Sequence, residues 1–263
     1  MIEVACDDGA FLGLVRGQLP PGSREFPGAS PDVSYRVDAR PAPDGGRLFN
    51  VTSCHPGIGE SGQVADHEDA ASAALFLCRD MEFQVALHAP TSLFVHAAAV
   101  AWRERVISLP GQTHSGKSTL TAALVRAGAQ YLSDEFTVID TAGLVHPFHR
   151  PVHIRSGGEV HRIPPSSLGA VAYGPMPLGA VVVARFEPGA TWHPEAMTPG
   201  ETALALLDNA VPARVRPAHA VVRIARAIEV GTIGLRGARG EAARAAQEML
   251  DSVDRAWDEA ASG

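Results

Sequence analysis

The stretch VISLPGQTHSGKSTLTAALVRAG (residues 106–128) constrains the fold more than any other part of this 263-residue chain. Three of its first four residues, Val106, Ile107 and Leu109, are apolar, and the run reads as a short buried-type strand. Residues 118–127 set Leu120, Ala123, Leu124 and Ala127 on one helical face, and Gly128 supplies a stop. Between strand and helix, Gly111, Gln112, Thr113, His114, Ser115, Gly116, Lys117 and Ser118 satisfy G-x-x-x-x-G-K-[ST]. Gly111 and Gly116 permit backbone turns that a Cβ would block. The N–H groups of such a loop face inward as an anion nest, reinforced by the positive end of the following helix. Lys117 then offers a point charge to phosphates, and the Ser118 hydroxyl a ligand to Mg²⁺. A chance match in a chain of this composition is on the order of one in a hundred, and the strand–loop–helix placement lowers that further.

Composition adds one point to this. Of 22 basic residues, 21 are Arg and one is Lys, the Lys117 of the loop. A chain that uses Arg for its basic surface does not keep a lone Lys for solubility. The forked guanidinium does not replace a compact ammonium at a phosphate. The net charge of −7 argues against a general nucleic-acid partner. No apolar run reaches membrane-spanning length, and the first residues carry Glu3, Asp7 and Asp8 where a signal peptide would be basic. Cys6, Cys54 and Cys78 form an odd, sparse set without a C-x-x-C pair, which predicts a reduced cytoplasmic setting.

Strand and helix patterns alternate, which predicts an α/β protein with a parallel or mixed sheet flanked by helices. Residues 1–90 read as a weakly patterned accessory region, with short strands at 11–15 and 33–37, loops at 41–46 and 55–63, and a helix over 66–88. Residues 91–263 read as the catalytic domain. Its strands are expected at 93–102, 106–109, 131–140, 144–148 and 178–186, and its helices at 118–127, 201–208, 218–227 and 241–261. Asp134 and Glu135 open the strand after the phosphate-loop helix. If that strand lies beside the phosphate-loop strand, its acids reach the same site.

The stretch from Phe94 to Asp140 resembles the catalytic core of the HPr kinase/phosphorylase family. That family places a His ahead of the loop, then G-x-x-G-x-G-K-S, a helix, and an acid pair. Here the matching residues are VHAAAV with His96, LPGQTHSGKSTL, YLSDE with Asp134 and Glu135, and HPFHRP. The likeness covers about 60 residues (96–155) well, continues weakly through 204–217, and is closest to a divergent branch. It implies a sheet of the HPr-kinase and phosphoenolpyruvate-carboxykinase type. The implied activity is ATP-dependent phosphorylation of a serine hydroxyl on a protein or peptide, with Mg²⁺. Lys117 and residues 111–119, including Thr119, would hold the nucleotide. Ser118 and Glu135 would serve the metal, Asp134 would be the general base, and His96 would position the acid pair. Some relatives in that branch look like tailoring kinases for small peptides. Three departures stand out: His114 replaces a loop Gly, which changes how the loop sits over the phosphates, while Glu135 in place of an Asp and Thr119 in place of an acid recur in the divergent branch and imply an acceptor other than HPr.

Other residues weigh less. His146, His149, His153, Arg150 and Arg155 make a basic loop without metal-ligand spacing; Arg150 is the one placed to face transferred phosphate. Arg214 and Arg216 read as surface arginines before they read as an arginine finger. Two other functions fit the same motif: a small-molecule kinase, which needs an enclosed acceptor pocket, and a non-catalytic nucleotide sensor, which tolerates loss of Asp134. The acceptor, the choice of ATP over GTP, a reverse phosphorylase reaction and the oligomeric state are not written in the sequence.

Overall fold

The structure is a computed structural model; it describes residues 1–19, 22–26, 28, 30–41, 47–55, 60–67, 69–111, 116–156, 159–229 and 231–262. Gln112, Thr113, His114 and Ser115 lie outside the described residues. The chain divides into two units, Met1–Val85 and Ala86–Gly263. Among the described residues, no helix is long and apolar enough to cross a membrane.

The first unit contains β1 (Ile2–Cys6), α1 (Gly9–Arg16), β2 (Val33–Pro41), β3 (Arg47–His55), β4 (Glu60–His67) and most of α2 (Ala70–His88). Its four strands lie in the order β1-β2-β3-β4, the first pair parallel and the others antiparallel. Residues 11–15, expected as a strand, are helical. The Asp8 carboxylate accepts from the N–H groups of Ala10 and Phe11, which caps the helix, and Phe11 and Val15 share one buried face. The helix expected from residue 66 begins at Ala70, where Asp69 accepts from the N–H groups of Ala71 and Ser72. Asp66 and His67 are instead paired with Asn50 and Phe49 across β3 and β4. His55 and Glu60–Gln63, expected in a loop, are also strand. The helices cover the sheet through Phe11, Val15, Leu77 and Met81, packed on Val33, Tyr35, Phe49 and Val51.

The second unit is a mixed sheet flanked by helices. Its elements are β5 (Leu93–Trp102), β6 (Arg105–Pro110), α3 (Lys117–Arg126), β7 (Gln130–Ser133), β8 (Phe136–Ile139), β9 (Leu144–His146), β10 (Val152–Ser156), β11 (Glu159–Ile163), α4 (Pro165–Leu168), β12 (Met176–Phe186), β13 (Glu195–Met197), α5 (Pro199–Leu207), α6 (Pro217–Ile228), β14 (Ile233–Arg239) and α7 (Ala242–Ser262). The main sheet runs β13-β14-β12-β6-β5-β8-β9, with β7 also paired to β5. β14, β12 and β6 are parallel to one another. β5 runs antiparallel to β6, β7 and β8.

Strand alternation divides the side chains between two cores. Ala98, Val100, Ile107, Leu109, Ala180 and Val182 face α3 and α7. Val95, Ala97, Ala99, Ala101, Val106 and Val181 face α5 and α6. β5 therefore has almost no exposed surface, although four of its ten residues are alanines between Ala97 and Ala101. Alanine is a poor strand former alone. Here burial on both faces decides, and small side chains let helices approach closely. α7 repeats the same logic: Ala242, Ala245, Ala246, Met249, Leu250, Val253 and Trp257 form one buried stripe. The Trp257 indole N–H donates to the Gly179 carbonyl at 2.9 Å, at the point where the β12–β6 register shifts. Fully burying Met249, Leu250 and Val253 contributes about 1.5–3 kcal/mol each before conformational entropy is subtracted.

Two expectations about the acid pair are corrected. Residues 131–140 do not form one strand; they form β7 and β8, with Asp134 and Glu135 in the bend between them. The Ser133 hydroxyl accepts from the N–H groups of Glu135 at 3.2 Å and Phe136 at 3.0 Å, a side-chain turn that breaks the ladder. These strands also do not lie beside β6, the strand that precedes the glycine-rich motif. β5 stands between them and β6.

Candidate functional site

β5 aligns the site. Ala97 pairs with Pro110, the last residue of β6, and His96 pairs with Phe136, the first residue of β8. The loop that starts at Gly111 and the acid bend at Asp134 and Glu135 thus flank the same level of β5, with His96 between them. The parallel strands β14, β12 and β6 end on this same edge, where α/β sheets commonly bind ligands.

The described ends of the loop are Gly111, after β6, and Gly116. Gly116 sits at the α3 N-terminus with φ 81°, a left-handed turn open to glycine, and being the N-cap it offers the helix no side-chain cap of its own. Gly128 closes α3 with φ 110°, where its N–H donates to the Val125 carbonyl at 3.1 Å. Lys117 turns back along the loop and donates to the Gly111 carbonyl at 2.6 Å. Its ammonium also lies 3.2 Å from His96 Nε2. Burial lowers the Lys117 pKa, while the charges of Glu135 and Asp134 oppose that shift.

His96 is held neutral. Burial and then the Lys117 charge push it down to about 4. The neutral ring accepts from Lys117 at Nε2, which assigns the proton to Nδ1, 3.4 Å from Glu135 Oε1. Lys117, His96 and Glu135 form a line from the Gly111 carbonyl to the acid bend.

Asp134 lies at the centre, 6% exposed. The Ser118 hydroxyl donates to its Oδ2 at 3.2 Å and the Tyr131 hydroxyl to its Oδ1 at 3.1 Å. Tyr131 also reaches the Arg150 carbonyl at 2.9 Å, so one phenol proton is shared between two acceptors. Burial, then the nearby Glu135 charge, raise the Asp134 pKa; the bonds from Tyr131 and Ser118 and the Arg150 charge restrain the rise. Glu135 is more open, with 44% of its side chain exposed. Ser118, Asp134 and Glu135 together present hard oxygen donors, the chemistry Mg²⁺ requires.

Most residues expected in the site are brought together: Gly111, Gly116, Lys117, Ser118, His96, Asp134 and Glu135. Thr119 is exposed on the first turn of α3. Arg216 is engaged elsewhere, donating to the Ala89 carbonyl at 2.8 Å and contacting His219, and Arg214 is exposed. In the basic loop, His146 pairs with Asp140 at 2.8 Å and His149 with the Ala172 carbonyl at 2.7 Å.

Two residues escape sequence reasoning. Tyr131 reads there as a strand aromatic, and only its spacing of three from Asp134 hints at the bond it makes. Arg239 ends β14, is 3% exposed, and reaches the loop from 123 residues away. No local signal marks it.

No family model matches the chain, and no curated protein matches it. Among solved structures it is similar to the HPr(Ser) kinase/phosphatase from Coxiella burnetii, at 15% identity and a TM-score of 0.37, over 65% of this chain and 99% of that one.

Proposed function

We propose that this chain is an ATP-dependent kinase that transfers phosphate to a serine hydroxyl on a protein or peptide. The observation that carries the reading is the convergence of Lys117 and Ser118 with His96, Asp134 and Glu135 at one edge of the sheet. The serine acceptor rests on the resemblance of residues 96–155 to HPr kinases. The chemistry lies within residues 91–263, and residues 1–90 are accessory.

In this reading the loop N–H groups and Lys117 bind the nucleotide phosphates. Ser118 and Glu135 hold Mg²⁺, which supplies neutralising charge to those phosphates when bound. The acceptor oxygen attacks the γ-phosphorus, the new O–P bond forms as the bond to the β-phosphate oxygen breaks, and ADP leaves. The hydroxyl proton passes to Asp134, whose raised pKa suits a base. Lys117 balances charge on the departing oxygen. His96 keeps Glu135 oriented and, being neutral, adds no second cation beside Lys117.

A second allocation of the two acids has its own support. Ser118 touches Asp134 rather than Glu135, and Glu135 is the more accessible carboxylate. Asp134 would then serve the metal, and Glu135 would take the proton. Labelled-ATP transfer onto serine peptides tests both. Lys117→Ala abolishes nucleotide binding. If Asp134 is the base, Asp134→Asn keeps nucleotide binding and loses about 10²–10⁴ in rate, while Glu135→Gln raises the Mg²⁺ requirement; the reverse pattern exchanges the roles. Transfer at the wild-type rate in both acid variants refutes both acid assignments, and a wild-type protein that transfers no phosphate to any serine peptide refutes the kinase reading.

A further inference from the structure

Arg239 is a charged side chain buried at the end of β14, and its surroundings explain its position. The register of β14 against β12 sets Arg239 opposite Phe186, the last residue of β12, and the guanidinium lies over that ring at 5.1 Å from its centroid. From there Nη1 donates to the Gly240 carbonyl at 3.0 Å, and Nη2 reaches the Gly116 carbonyl at 3.3 Å. The two nitrogens of one planar fork therefore join the end of the sheet to the last glycine of the phosphate loop. The fit is tight. A Cβ on Gly116 would stand 2.5 Å from Arg239 Nη2, so an alanine there, besides straining the left-handed backbone, would push the guanidinium off the Gly116 carbonyl.

We infer that Arg239 is a positioning residue for phosphate recognition: it clamps the Gly116 turn and so fixes the directions of the N–H groups at the start of α3. The inference rests on the nucleotide-binding part of the function proposed above and adds a residue to it. A glycine at a helix start has many accessible conformations, and few of them aim the N–H groups that follow it at one anion. A clamp from a neighbouring strand reduces that freedom before the nucleotide arrives, which raises affinity through preorganisation. The geometry needs the fork. A lysine carries the charge but cannot hold both carbonyls in one plane.

The test measures dissociation constants for ATP and ADP by calorimetry on the full-length protein, with thermal unfolding of each variant recorded without nucleotide. Arg239→Met and Arg239→Lys are both expected to weaken ATP and ADP binding about tenfold or more, the size of losing a charged hydrogen bond, and to unfold cooperatively. Should Arg239→Met not fold, Arg239→Lys carries the same reading. Gly116→Ala weakens binding in the wild-type background and weakens it less in Arg239→Met, because the collision partner is gone. A folded Arg239→Lys or Arg239→Met protein that binds ATP within about twofold of wild type overturns the clamp. If wild type binds ATP through Lys117 while folded Arg239 variants are indifferent, the clamp alone fails and the proposed function stands. A wild-type protein that binds no nucleotide removes both.

Discussion

Acid pH should destabilise this protein through His96, before any effect on chemistry is considered. The folded ring titrates at about 4, because it is buried beside the Lys117 ammonium; in the unfolded chain it titrates near 6.5. Between those values the unfolded chain holds a proton that the folded chain does not. Stability is therefore complete above about pH 6.5 and is lost as pH falls toward 4. At pH 5 the difference amounts to about 2 kcal/mol by linkage. The side chain is 25% exposed, and discounting for solvent screening leaves about 1 kcal/mol. For a domain of this size that is a fall of about 2–4 °C in melting temperature. The control is His96→Gln, whose amide oxygen can still accept from Lys117 but does not titrate. Urea and thermal unfolding of both proteins at pH 7 and pH 5 give the comparison, and subtraction removes the other histidines. Wild type should lose the larger share. Parallel losses in the two proteins would refute the assignment of His96 as a neutral acceptor. The same logic gives a second readout. Nucleotide brings negative charge to Lys117 and restores basicity to the ring, so binding at pH 6 should take up protons in wild type and fewer in His96→Gln. Calorimetry in buffers of different ionisation enthalpy measures that uptake.

Two further outcomes test the surroundings of the site. Tyr131→Phe removes the hydroxyl that serves both Asp134 and the Arg150 carbonyl, and should cost about 1–3 kcal/mol in urea unfolding. That bond holds the Asp134 pKa down, so the acid limb of the pH–rate profile should move to higher pH; an unmoved limb separates Asp134 from the proton transfer. Gly179→Ala sets a Cβ 2.6 Å from both the Arg105 Cβ and the Trp257 ring, and should cost about 1–3 kcal/mol by overpacking in thermal unfolding. No loss there would mean that α7 moves aside without penalty.

The sequence made some of this legible because the signals were local. A short apolar run, two glycines and a helix pattern specify the β6–loop–α3 unit within about 20 residues, and family resemblance supplied His96 and the acid pair. Other features have no local signature. The break at Asp134 comes from the Ser133 hydroxyl bonding to backbone two and three residues on, an effect that hydrophobic periodicity does not register. α1 looked extended because five apolar-rich residues fit a strand as well as a helix; the cap at Asp8 decides between them. Arg239 belongs to the site only after β14 has been laid two strands from β6, so its role is a product of topology.

β5 has a consequence beyond packing. The strand leading to the Gly111 loop hangs from one of its edges and the strands flanking the acid bend from the other, each through direct backbone pairing. The distance between the two halves is thus a property of strand spacing, not of a hinge or of two domains closing. β10 and β11 pair only with each other, in a separate two-stranded sheet outside that ruler among the described residues. Substitutions in that separate hairpin leave the pairing of β5 with β6, β7 and β8 untouched, so the spacing of the two halves stays constant while the surface beside them varies.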